Sequence, residues 1–111
     1  SLAVTFVCAP TPFGQHVLSQ LSSCRVIAID EEAWVGSAGP LLILESDLII
    51  LNFTDLKDPG AVIAAVHALS PRRPCLILAY AWEYVEAKRY LRAGGKVLSK
   101  PVRDLAGAVR E

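Results

Sequence analysis

The chain has 111 residues, 53% of them hydrophobic, which suits one domain around one core and excludes a disordered chain. Basic and acidic residues number 11 each, so a formal net charge of zero gives no bulk attraction to nucleic acid or to an anionic membrane. Three cysteines, Cys8, Cys24 and Cys75, lie in apolar runs without metal-ligand spacing, and no apolar run reaches membrane-spanning length. Free buried thiols and a cytoplasmic location are the expectation. Residues 2–9 are apolar but lack the basic flank of a signal peptide. The chain opens at Ser1 without Met and stops inside a helical pattern, so residues 1–111 read as a single domain of a larger, multidomain protein.

In chain order, residues 2–9 (LAVTFVCA) read as a first strand, broken by Pro10, Thr11 and Pro12. A helix follows with Phe13, Val17 and Leu21 at i, i+4 and i+8, Leu18 beside them, and His16 and Gln20 outside. Residues 24–29 (CRVIAI) are a second strand. Residues 30–46 carry Gly36, Gly39 and Pro40, which interrupt helical periodicity, so a short, irregular second helix is expected there. Residues 47–53 (DLIILNF) hold at 48–51 an apolar run without alternation, the mark of a central strand buried on both faces. Asp58 offers an N-cap with Pro59 at the first helical position, and Val62, Ile63, Val66 and Leu69 form the inner face of a third helix. Residues 70–73 are a loop and residues 75–79 a fourth buried strand. Residues 82–92 make a fourth helix with Tyr84, Ala87 and Leu91 on one stripe, stopped by Gly94 and Gly95. Residues 96–99 are a short fifth strand, and residues 103–110 a last helix with Leu105, Ala108 and Val109 inward. Five βα units with short connections predict an α/β fold with a five-stranded parallel sheet covered on both faces.

The central strand ends on Asn52, and residues 91–101 read LRAGGKVLSKP. With these two stretches, and with the order and spacing of elements along its whole length, the chain resembles the receiver domain of two-component signalling. That family has the flavodoxin-like fold, with strand order 2-1-3-4-5. The tail is similar to the family's GxxxxLxKP segment, especially as found in bacterial hybrid histidine kinases. The resemblance puts the family's fifth-strand lysine on Lys100, followed by Pro101, and its phosphoacceptor on Asn52, 48 residues earlier.

Phosphoryl transfer to a carboxylate needs a nucleophilic Asp, a divalent cation held by further carboxylates, and a Lys that balances charge. Asn52 is an amide, and Cys8-Ala9-Pro10, where the metal-binding acids should close the first strand, holds no acid. The family's strand-four hydroxyl falls on Ala79 or Tyr80, and its aromatic switch on Val97. The resemblance therefore implies a non-phosphorylatable pseudo-receiver that is not itself an enzyme and needs no cofactor or Mg²⁺. Its partners would be another protein, neighbouring kinase modules of its own chain, or a second copy, with no nucleic-acid polymer and no direct membrane contact. Trp82, Tyr84, Arg89, Lys96 and Arg103 are the candidate interaction residues, with Glu86 and Arg89 able to pair across one helical turn. Asp55 reads as a loop acid. Lys100, without carboxylates, is expected in solvent or on backbone carbonyls at the sheet end.

Other readings come from the residues. Residues 27–32 (IAIDEE) look like a receiver's first strand with its acidic pair, but only 14 residues separate Glu32 from Asp47, too few for the intervening elements. Cys8 stands before a helix, where a phosphocysteine carrier holds its nucleophile. Against this, Pro10 and Pro12 lack N–H donors for a phosphate cradle, and Gly14 stands where a cysteine phosphatase needs Arg. Arg72 and Arg73, with Tyr80 and Trp82, suit a phosphate and a stacked base, the basis for a nucleotide second-messenger ligand. No dinucleotide fingerprint or Walker A motif is present. His16 and His67 have no partnered acids and are expected to be solvated.

Overall fold

The computed structural model describes residues 2–70, 74–90 and 96–100, and Leu105. Five parallel strands, β1 (Ala3–Val7), β2 (Arg25–Ile29), β3 (Leu48–Asn52), β4 (Cys75–Ala79) and β5 (Lys96–Ser99), lie in the order β2-β1-β3-β4-β5. The fold is the flavodoxin-like α/β arrangement that the βα alternation predicts. The order also disposes of residues 27–32 as a receiver's first strand, because that stretch is the edge of the sheet and β1 is inside it.

β3 and β4 are buried at every residue, as their unbroken apolar runs require. Alternate side chains feed two cores. Ile49, Leu51 and Ile77 meet Trp34, Ile43, Ile63 and Val66 on one face. Ile50, Leu76 and Leu78 meet Val17, Leu21 and Leu105 on the other. Leu105 thus holds the inward place expected of it, while the rest of the last predicted helix, including Ala108 and Val109, lies outside the described residues.

α1 (Pro12–Gln20) starts on Thr11, whose hydroxyl accepts from the Gly14 N–H, with Pro12 in the first turn where no N–H is needed. α4 (Pro59–Leu69) starts in the same way on Asp58, whose carboxylate accepts from the Ala61 N–H. Its inner face is Val62, Ile63 and Val66, but Leu69 is 46% exposed, because the helix ends there beyond the edge of the core. His67 is also not fully solvated, since its Nε2 is buried and has no hydrogen-bond partner.

The largest departure from expectation lies between β2 and β3. In place of a short irregular helix the chain is helical from end to end, as α2 (Glu31–Ala33), a π-helical turn (Trp34–Ala38) and α3 (Gly39–Glu45). The wide turn lets an α-helix start afresh at Gly39, so that Pro40 falls in a first turn. Gly39 is required by packing. A Cβ there would lie 2.7 Å from the Trp34 carbonyl oxygen and 3.2 Å from its indole ring. Trp34, only 3% exposed, is a core residue that the periodicity did not single out.

The fourth predicted helix is shorter than expected. A 3-10 turn (Ala81–Glu83) leads into α5 (Tyr84–Lys88), with Ala87 buried; Leu91 lies outside the described residues. Arg89 meets Glu86 through its backbone N–H to the Glu86 carbonyl, 3.0 Å, in place of a side-chain pair.

Candidate functional site

The carboxyl ends of β1, β3, β4 and β5 meet on one side of the sheet, where a doubly wound fold gathers its polar chemistry. Asn52 is the last residue of β3 and is 3% exposed. The chain then turns at once through a 3-10 turn (Phe53–Asp55). This turn swings Asp55 back beneath the strand end. Asp55 Oδ2 accepts from Asn52 Nδ2 at 2.6 Å and from the Ala9 N–H at 2.8 Å. One carboxylate oxygen therefore ties the end of β3 to the chain leaving β1. Asn52 Oδ1 is buried and accepts no hydrogen bond from the protein.

Asp55 is thus a member of the centre and not a bare loop acid. Its spacing of three from Asn52 was visible in the sequence, but the Ala9 contact crosses 46 positions and depends on the sheet order.

On the β4–β5 side a second network starts from Thr54. Lys100 Nζ donates to Thr54 Oγ1 at 2.8 Å, and the Thr54 hydroxyl donates to Glu83 Oε1 at 2.8 Å. The same Glu83 oxygen accepts from the Tyr80 N–H at 2.9 Å. The Lys100 ammonium also lies 4.2 Å from the Tyr80 ring centroid and 4.7 Å from that of Phe13. Lys100 is therefore neither extended into solvent nor set on backbone carbonyls. Burial lowers its pKa, and the carboxylates of Glu83 and Asp55 oppose that shift. Thr54 and Glu83 are members of this network that the sequence did not single out. The available signal was Glu83, three residues after Tyr80, at the spacing by which a side chain caps its own turn.

Tyr80 carries the network to the surface. Its ring stacks on Trp82 at 4.4 Å between centroids and 8° between planes. Trp82 is 79% exposed and Val85 71%, and by helical spacing they share a side with exposed Arg89. Tyr84 is half-buried with Lys88 Nζ 5.2 Å from its ring centroid, and Lys96 is exposed at the start of β5. Ala79 is fully buried at the end of β4, and Val97 is half-buried in β5. Arg103 and Pro101, and likewise Arg72 and Arg73, lie outside the described residues.

Cys8 lines a hollow of about 230 Å³ with Ala9, Thr11, Gly14 and Asp30. Its thiol is buried, and its pKa is pushed up to about 11, first by burial and then by the carboxylates of Asp55 and Asp30. Cys75 is buried and likewise pushed up to about 11, by burial alone. Cys24 is half-buried, and all three thiols are free. Across the same end of the sheet, Glu31 accepts from the N–H groups of Lys57 and Asp58 at 2.8 and 3.0 Å, which fastens the start of α2 to the loop before α4.

No family model matches the sequence, and no curated protein matches it. Among the described residues, no helix is long and apolar enough to cross a membrane.

Proposed function

We propose that the chain is a receiver-like module without phosphoacceptor chemistry, which acts by protein contact on kinase modules of a two-component signalling protein. The observation that carries this reading is Asn52. The resemblance puts the acceptor there, yet the side chain is an amide whose nitrogen is bound to Asp55. An amide oxygen is a poor nucleophile towards phosphorus and brings no charge to a cation.

The donor set fits a hard divalent cation poorly. Asp55 Oδ2 already accepts two N–H groups, and β1 leads into a buried thiol and Ala9. Among the described residues no three His, Cys, Asp or Glu side chains are grouped to hold a metal. Lys100, the lysine the resemblance retains, is bound to Thr54. Without a phosphoryl switch, input has to reach the module as a contact or a ligand with unequal affinity for two states. The Trp82–Val85–Arg89 side of α5 supplies an outlet, exposed and coupled to Lys100 through Tyr80.

A phosphocysteine carrier is the weaker alternative, because a thiol with a pKa near 11 stays protonated at neutral pH. A nucleotide sensor would rest on Arg72 and Arg73.

Incubation with a small-molecule phosphodonor and Mg²⁺, read by intact mass, tests the proposal. No phosphoryl adduct is expected. An adduct that survives Cys8→Ser and is lost in Asp55→Asn would overturn the reading, and one lost in Cys8→Ser would establish the carrier instead.

A further inference from the structure

β2 is an edge of the sheet, and unlike β3 and β4 it is largely open to solvent. The hydrogen bonds at its two ends fix which backbone groups are spent. The Arg25 N–H donates to the Leu2 carbonyl, and the Ile29 carbonyl accepts from the Cys8 N–H. Backbone groups alternate sides along a strand, so Arg25, Ile27 and Ile29 face β1. Val26 and Ala28 then turn their N–H and C=O groups to the open edge.

Natural sheets protect such an edge with lysine, proline, a bulge or a covering segment. Residues 26–29 read Val-Ile-Ala-Ile and carry no charge and no proline. Ile27 is 51% exposed, and beside it a hollow of about 530 Å³ opens between the strand and α3, bordered by Leu42, Ser46 and Glu45. The other edge strand, β5, differs in its middle: Val97 and Leu98 are half-buried between exposed Lys96 and exposed Ser99, whereas Ile27 and Ala28 in the middle of β2 are exposed.

We propose that the β2 edge pairs with the β2 edge of a second copy of this chain, antiparallel about a two-fold axis through Ile27, so that one sheet runs through both copies. The register follows from the free groups. Val26 must face Ala28 of the partner, and Ala28 must face Val26 of the partner, which makes about four inter-strand hydrogen bonds. Ile27 then meets its own copy at the axis, in the closer type of antiparallel pair, and its exposed side chain becomes covered.

Charge argues for a second copy over an unrelated strand. β2 has Arg25 at its start and Asp30, Glu31 and Glu32 just beyond its end. Antiparallel pairing brings each Arg25 beside Ile29 and Asp30 of the partner, twice over by symmetry. A net charge of zero leaves no general repulsion between copies. This surface is separate from the Trp82 side of α5, so the proposal does not depend on the signalling reading.

Sedimentation equilibrium of the whole chain over the micromolar range tests it. The wild type is expected at twice its 12.0 kDa mass. Ala28→Pro removes one outward N–H from each copy, at an edge position where proline leaves the β1 ladder intact, and should weaken the dimer about thirtyfold. Ile27→Lys sets two ammonium groups together at the axis and should leave only monomer. It also covers the case in which the proline variant fails to fold, which far-ultraviolet circular dichroism would report. Trp82→Ala should leave the mass unchanged. A wild type that stays monomeric throughout, or a dimer that survives in folded Ile27→Lys, or one that Trp82→Ala dissociates, would overturn the proposal.

Discussion

Thr54 and Asp55 are neighbours in one 3-10 turn, yet they serve two different halves of the strand-end surface. Asp55 turns towards β1 and closes a small, inward centre with Asn52 and the Ala9 N–H. Thr54 turns towards β5 and joins Lys100 to Glu83, and through Glu83 to the turn that displays Trp82. The first half is the more buried, and its cross-link joins the neutral Asn52 amide to the Asp55 carboxylate. The second is half-exposed and joins a cation, a carboxylate and an aromatic stack. The two halves share backbone and no hydrogen-bonded side chain, while the Asp55 carboxylate still acts on the Lys100 ammonium through space.

The largest effect expected from breaking this division is that of Asn52→Asp. A second carboxylate would then stand at hydrogen-bond distance from Asp55 in a site 3% exposed. Leaving a buried charge uncompensated costs about 4 kcal/mol at neutral pH. Such an Asp has its folded-state pKa raised, so its penalty is present at neutral pH and is relieved as pH falls. Urea unfolding at pH 7 and pH 5 should show the deficit shrink. A deficit abolished by Mg²⁺ at pH 7 would instead mean that the pair can hold a cation.

Asp55→Ala comes next. It leaves the Asn52 amide and the Ala9 N–H without their acceptor, at a cost of about 3 kcal/mol by chemical denaturation. If the loss stayed under about 1 kcal/mol, water would be replacing the carboxylate and the centre would not be closed.

The thiols sharpen the contrast at high pH. Cys8 and Cys75 are pushed from 9.0 to about 11, so each is neutral in the folded chain where the unfolded chain is already ionised. Their contribution is full below about pH 9 and falls as pH rises towards 11. For Cys75 the loss is about 2 kcal/mol by the upper end of that window. Lys100, whose pKa is lowered from 10.5, works in the opposite sense, since stability lost to its buried charge is regained as it deprotonates. The downward slope of stability between pH 9 and 11 should therefore flatten in Cys75→Ala and steepen in Lys100→Met.

The smallest effect is expected from Thr54→Val. It removes the hydroxyl between Lys100 and Glu83 at an exposed position and should cost about 1 kcal/mol. Its readout is instead the Tyr80–Trp82 stack, whose near-ultraviolet dichroism should weaken, whereas Asp55→Ala should leave that signal alone.

Much of the fold could be read from the sequence because it is written in local pattern. β3 and β4 are continuous apolar runs, and Asp58-Pro59 and Thr11-Pro12 are helix starts with a mechanism. The helical path from Glu31 to Glu45 could not be read, because Gly36, Gly39 and Pro40 look like breaks until the π turn resets the helix and Trp34 takes its place over Gly39. At the site, Asn52 and Lys100 stood out by position. Asp55, Thr54 and Glu83 did not, because their partners lie 46, 46 and 29 positions away and meet only once the strands are in order.

The most direct test of the central claim is a ¹⁵N amide spectrum of the chain, titrated first with Mg²⁺ and then with beryllofluoride. The account predicts that the resonances of Asn52, Ala79, Tyr80, Ala81 and Lys100 stay where they are. Saturable shifts at those residues would mean that the strand ends still bind a metal and a phosphoryl mimic, and would contradict it.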